Sequence, residues 1–222
     1  MTDAPYNPLD KTNLARSIQT ELLSRDPIPL KDADKVKGAG IYVIYYTGSF
    51  KPYSPIKGGA VPIYVGKAIP KGGRKGGIGA DASKGRAMSD RLGQHARSID
   101  EVTNLDLKDF QVRYLMVDDV WIPLGENMLI EQFKPVWNRA IDGFGNKDPG
   151  RRRATQYKSP WDVLHPGRKF AEKLAAGELS TQFLNERVAD YFAGRPLKSL
   201  PKAIEQQQAE EIEEAQEAAD EA

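Results

Sequence analysis

Two short β-patterned stretches, GIYVIYY at 40–46 and PIYVG at 62–66, constrain the architecture more than any other feature of the chain. In the first, Ile41, Val43 and Tyr45 alternate with Tyr42, Ile44 and Tyr46, so each set lines one face of a strand. Residues 47–61 join the two stretches, which together read as a hairpin with a long loop. Each carries a tyrosine close to a glycine. Aromatic residues favour sheets, so these phenols are either strand filler or chemistry, and the rest of the chain has to decide.

Helical spacing of Leu14, Ile18 and Leu22 predicts a helix over 11–24, ended by DPIPL. MSDRLGQHARSI (88–99) reads as a helix with Met88, Leu92, Ala96 and Ile99 as its apolar stripe and Ser89 as N-cap. FQVRYLMV (110–117) alternates as a third strand. GENMLIEQFK (125–134) reads as a helix that stops before Pro135. SPWDVLHPGRKFAEKL, from 159, turns into a further helix, and 181–193 is helical. The order β-β-α-β-α predicts an α/β (α+β) fold: a small central mixed or antiparallel three-stranded sheet flanked by helices, with helical extensions at both ends. The expected divisions are an N-terminal helical extension (1–35), a core (36–140), a C-terminal loop and helices that contact DNA (141–200) and an acidic tail (201–222) whose low complexity points to disorder.

Composition narrows the function. The 222 residues include no cysteine, which excludes disulfides, thiolate zinc sites and a cysteine nucleophile, and fits a reducing cytoplasm. Two histidines, His95 and His165, are too few for a multi-histidine metal site, and His165, before Pro166, reads as a turn or packing residue. No apolar run approaches the ~20 residues of a membrane span, and the first residues show no signal-peptide pattern. The net charge of +1 conceals an asymmetry. Residues 203–222 hold eight acidic and no basic residues, so 1–202 carry 32 basic against 23 acidic, a net +9. A basic body points to a polyanionic partner. Two glycine-rich basic stretches, 66–87 and 142–154, supply Arg74, Lys75, Arg151, Arg152 and Arg153 as candidate DNA contacts.

Along this framework stand Tyr42, Tyr64, Lys67, Arg91, His95, Glu126 and Asn138. Arg91 and His95 are four apart and share a helix face. Each residue has an ordinary alternative: the tyrosines as sheet packing, Arg91 and His95 as a solvated face, Glu126 as a first-turn charge facing the helix dipole, Asn138 as a turn residue. Each is also of a type that phosphodiester hydrolysis uses. A lone carboxylate suits Mg²⁺, which keeps most of its waters; an arginine pairs with phosphate; a phenol or imidazole accepts a proton from water.

GIY (40–42), YVG (64–66), RLGQH (91–95) and ENMLIEQFKPVWN (126–138) together resemble the GIY-YIG nuclease superfamily, with YVG as the second motif. GAGIYVIYYTG, VPIYVGKAIP, TNLDLKDF, WNRAIDGFGNKDPG and SPWDVLHPGRKFAEK extend the likeness over 36–175, toward type II restriction endonucleases that cut the palindrome CCGCGG. The resemblance implies a nuclease dependent on Mg²⁺ (or Mn²⁺) that acts on double-stranded DNA as a homodimer, paired with a cognate DNA methyltransferase. It implies Glu126 as metal ligand, Tyr42 as general base or relay, Tyr64 as a phosphate-positioning phenol, and Arg91 as electrostatic stabiliser. His95 would assist proton transfer and Asn138 orient the site. Lys67, next to YVG, is expected to lower a neighbouring tyrosine's pKa. A repair or homing-type nuclease and a non-catalytic DNA-binding module are the competing readings.

Overall fold

The computed structural model describes residues 10–70, 85–148 and 156–210. Its centre is β2 (Gly40–Tyr46), in which all seven residues are buried. A strand is buried along its whole length only when both faces and both edges are covered. β3 (Pro62–Ala68) pairs antiparallel with one edge, in the register Tyr42↔Gly66 and Ile44↔Tyr64. β4 (Phe110–Met116) pairs antiparallel with the other. The sheet has four strands rather than the expected three. β1 (Ile28–Pro29) pairs with Val112 and Gln111, giving the order β1-β4-β2-β3. Two residues carry no period-two signal, and Pro29 is tolerated because its strand lies on the sheet edge.

The alternation in GIYVIYY divides the interior into two cores. Tyr42, Ile44, Tyr46 and Tyr64 enter one; Ile41, Val43, Tyr45 and Val65 enter the other. α1 (Lys11–Leu23) and α3 (Ile122–Phe133) cover the second through Leu22, Ile122 and Leu129. α2 (Ala87–Asp100) covers the first through Met88, Leu92 and Ile99. α4 (Val136–Arg139), α5 (Pro160–Leu164) and α6 (Thr181–Phe192) extend that core through Trp137, Trp161 and Leu184.

Three local expectations change. α2 begins at Ala87, so Ser89 lies inside its first turn; its hydroxyl donates to the Arg86 carbonyl at 3.0 Å instead of capping. α3 begins at Ile122, because Pro123 suits a first turn where its missing N–H costs nothing. Glu126 therefore sits beyond the first turn and is no dipole charge. The stretch from 159 is not one helix: α5 ends at Leu164, ahead of His165 and Pro166, and only a short 3₁₀ turn follows at Ala171–Lys173.

The acidic tail is also corrected. Residues 202–210 are helical, and Ile204 is only 1% exposed within the larger core. Gln207 pairs with the backbone of Tyr157, accepting from its N–H at 2.7 Å and donating to its carbonyl at 3.2 Å. Truncation after Lys202 is therefore expected to lower stability by about 2–5 kcal/mol, the usual cost of emptying a buried isoleucine site. Truncation after Glu210 should leave the urea midpoint unchanged. A common midpoint for both truncations would remove the structural role of this helix.

Candidate active site

Tyr42 and Tyr64 point from neighbouring strands to one face of the sheet, where α2 lays Arg91 and His95 over them. The ring centroids are 6.4 Å apart for Tyr42–Tyr64, 5.6 Å for Tyr42–His95 and 5.2 Å for Tyr64–His95. The Tyr42 hydroxyl and His95 Nε2 share a buried hydrogen bond of 2.7 Å. Gly66 makes this possible: a Cβ there would stand 2.4 Å from the Tyr42 hydroxyl oxygen, a contact that real side chains do not make. The glycine of YVG is thus a close-approach residue, and Tyr42 reaches across the edge strand because 66 has no side chain.

Arg91 lies at the border of this cluster and an open cleft. Its Nη1 donates to Gln94 Oε1 (2.8 Å) and its Nη2 to the Gly145 carbonyl (3.1 Å). Asn138, on α4, acts on the backbone of β3. Its amide grips the edge strand, accepting from Val65 N–H at 2.8 Å and donating to Val65 C=O at 2.9 Å. It fixes the backbone on either side of which Tyr64 and Gly66 stand.

Lys67 departs from its expected partner. Its ammonium lies 2.7 Å from Glu126 Oε2, on the α3 side of the sheet. The tyrosines do not have lowered pKa values. Burial pushes the Tyr42 phenol well above its ordinary value, the charges of Tyr64 and Glu126 add to this, and Arg91 opposes it. Burial likewise pushes Tyr64 up to about 12, again against the pull of Arg91. Burial, reinforced by Arg91 and Arg168, holds His95 well below the ordinary imidazole value. Near neutral pH the cluster is therefore two neutral phenols and a neutral imidazole beside one guanidinium. Such a set offers a proton path by relay rather than a standing phenolate.

His165 is a packing residue, as its sequence context suggested. Trp137 Nε1 donates to the Tyr53 hydroxyl (2.8 Å), which donates in turn to His165 Nε2 (2.6 Å), and His165 Nδ1 donates to Asn104 Oδ1 (2.9 Å). Burial holds His165 down to about 3. Both histidines are thus neutral when folded but take up a proton near pH 6.5 when unfolded. Their contribution to stability is present above that pH and is lost as pH falls toward the folded values. The expected slope is about 1.4 kcal/mol per pH unit for each ring, read from urea midpoints between pH 7 and 5. His165→Asn should flatten the slope by about one ring's share; an unchanged slope would contradict the buried neutral state.

Glu126 offers one carboxylate, and among the described residues no group of three His, Cys, Asp or Glu side chains could enclose a metal ion. A lone carboxylate fits a hard cation that keeps most of its own waters. Arg74, Lys75, Arg151, Arg152 and Arg153 lie outside the described residues. Sequence reasoning missed Phe144, whose ring stacks on His95 at 4.4 Å and 17°, and the buried pair of Arg168 and Asp162. The quoted SPWDVLHPGRKFAEK contains both members of that pair, but a six-residue spacing with an intervening proline signals no contact. No helix among the described residues is long and apolar enough to cross a membrane.

The antiparallel sheet, with GIY on its central strand, YVG on the edge beside it and helices on both faces, is that of a GIY-YIG nuclease module. Residues 34–192 match the family model of the Eco29kI GIY-YIG domain, and the chain belongs to that family, the restriction-type nucleases of the GIY-YIG superfamily. Its substrate is accordingly DNA. No curated protein matches the chain.

Proposed function

We propose that this protein is a type II restriction endonuclease that hydrolyses double-stranded DNA at a palindrome, CCGCGG, with Mg²⁺ or Mn²⁺ as cofactor. The observation that carries the catalytic reading is the buried Tyr42–His95 hydrogen bond, with the charges of Arg91 and Glu126 both close enough to act on the Tyr42 phenol. In this reading the attacking water gives its proton to the Tyr42 oxygen as the phenolic proton passes to His95 Nε2. The water oxygen forms the new bond to phosphorus, and the bond from phosphorus to the leaving sugar oxygen breaks. Arg91 stabilises the charge gathering on the phosphate oxygens, and Tyr64 holds the phosphate in line. A divalent ion held by Glu126 would stabilise the leaving oxygen. Lys67 orients the Glu126 carboxylate, and Asn138 holds β3 in register.

The division of labour follows the sequence: 36–140 carries the chemistry and 141–200 contacts DNA. Likeness over 36–175 to enzymes that cut CCGCGG supports the target. One module offers one set of catalytic residues, so symmetric cutting of a palindrome calls for a homodimer on DNA; light scattering of the complex should give two chains per duplex. An enzyme with this activity requires a methyltransferase that protects the same site in its own cell, and the cysteine-free composition fits action in the cytoplasm. Digestion of plasmid DNA with Mg²⁺ or Mn²⁺, followed by sequencing of the ends, tests the proposal. Uniform ends within CCGCGG are expected. Uncut plasmid, or ends at unrelated sequences, would overturn the target or the activity.

A further inference from the structure

Arg168 is 1% exposed and belongs to no motif of the catalytic module. All five of its N–H groups are engaged. Nε donates to Asp162 Oδ1 at 2.6 Å, and Nη2 donates to Asp162 Oδ2 at 2.7 Å and to the Gly143 carbonyl at 2.8 Å. Nη1 donates to the carbonyls of Phe144 (3.1 Å) and Asn146 (3.4 Å). The carbonyl left out of this series, that of Gly145, accepts from Arg91. Phe144, between them, stacks on His95. Residues 143–146 therefore lie between two guanidinium groups and carry the ring that packs against the imidazole. Gly143 has φ +112°, and a Cβ there would stand 2.1 Å from Ser159 Cβ, so only glycine lets the segment settle this deeply.

A buried ion pair is a poor means of stabilising a fold, since apolar residues of similar volume serve as well. Apolar residues cannot hold three diverging carbonyls in fixed directions; a planar five-donor fork can. We propose that Arg168 is a positioning residue for DNA cleavage: it fixes segment 143–146, and through it the orientation of the Arg91 guanidinium and the His95 ring. This rests on the roles given above to Arg91 and His95. Partners that orient metal ligands without touching the substrate contribute ten- to a hundredfold to activity, and an effect of the same size is expected of Arg168.

The test is Arg168→Lys, which keeps the charge and loses the fork, measured with excess enzyme in a single turnover alongside Arg91→Ala and the double variant. Cleavage should slow by about 10–100-fold with DNA affinity within about threefold, and in the Arg91→Ala background the same change should cost less than about threefold. With only two histidines in the chain, ¹⁵N-histidine spectra resolve both rings, and the His95 signals should move in Arg168→Lys while the protein stays folded. A wild-type rate with unmoved His95 signals, or a loss that repeats in full in the Arg91→Ala background while the His95 signals stay unmoved, would overturn the proposal. If Arg91→Ala alone cuts at full rate, it is the assignment of Arg91 that fails, and the His95 spectra then decide Arg168. If Arg168→Lys does not fold, Asp162→Asn takes its place, since it removes the carboxylate that fixes the plane of the Arg168 guanidinium and leaves Phe144 and its ring contact with His95 in place. Slower cutting with unchanged DNA affinity and shifted His95 signals would then support the proposal, and wild-type behaviour would overturn it.

Discussion

Glu126→Gln is expected to abolish cleavage, by at least about 10³-fold or roughly 4 kcal/mol of transition-state stabilisation, while DNA affinity stays within about tenfold, some 1.4 kcal/mol. The amide has the shape of the carboxylate but not the charge that would hold a cation. Lys67 loses its charged partner, but its side chain is 37% exposed and water can replace the ion pair. Glu126 itself is only 14% exposed, but the amide keeps an oxygen for the Lys67 ammonium, so the fold should stay intact. Filter binding and single-turnover cleavage on the same preparation separate the two quantities. Cutting at the wild-type rate would remove Glu126 from the chemistry.

Tyr42→Phe is expected to slow the chemical step by about 10²–10⁴-fold, the usual weight of a positioned proton-transfer group. The ring and its packing remain, so only the hydroxyl and its bond to His95 Nε2 are lost. Leaving that nitrogen buried without a partner costs about 1–3 kcal/mol of stability, which a thermal melt reads separately. Tyr45→Phe and Tyr46→Phe are the controls on the same strand. Tyr45 faces the opposite core, beneath the Arg113 guanidinium at 5.0 Å. The Tyr46 hydroxyl accepts the Phe50 backbone N–H at 2.7 Å, a bond contributing about 1 kcal/mol to stability. Both should cut DNA at near wild-type rates. Equal losses in all three would mean that the strand was damaged, and Tyr42 would have no special role.

The two tyrosines were legible because a strand's side-chain period is fixed at two: alternation alone puts Tyr42 and Tyr46 on one face, and the antiparallel hairpin, despite its long loop, brings Tyr64 beside them. Arg91 and His95 were legible for the same reason, through helical spacing. What periodicity does not carry is the partner across space. Lys67 was expected to act on a tyrosine beside it in sequence, yet alternation turns it to the far face of β3, where α3 presents Glu126. Position in the chain misled because adjacent residues on a strand face opposite ways. Arg168 was illegible because three of its partners are backbone carbonyls, which every sequence has, and the fourth, Asp162, stands at a spacing that signals no contact. β1 escaped notice because two residues have no period at all.

The clasp of Asn138 on Val65 has a consequence unrelated to chemistry. β3 is the last strand on its side of the sheet, and an open edge offers unpaired N–H and C=O groups to any extended peptide, including another copy of the same chain. At Val65 a single side-chain amide satisfies both groups, in the way a neighbouring strand would. Asn138 thereby closes the sheet against strand addition at Val65. A chain without this amide would risk self-association through β3, so loss of solubility on heating would accompany loss of activity.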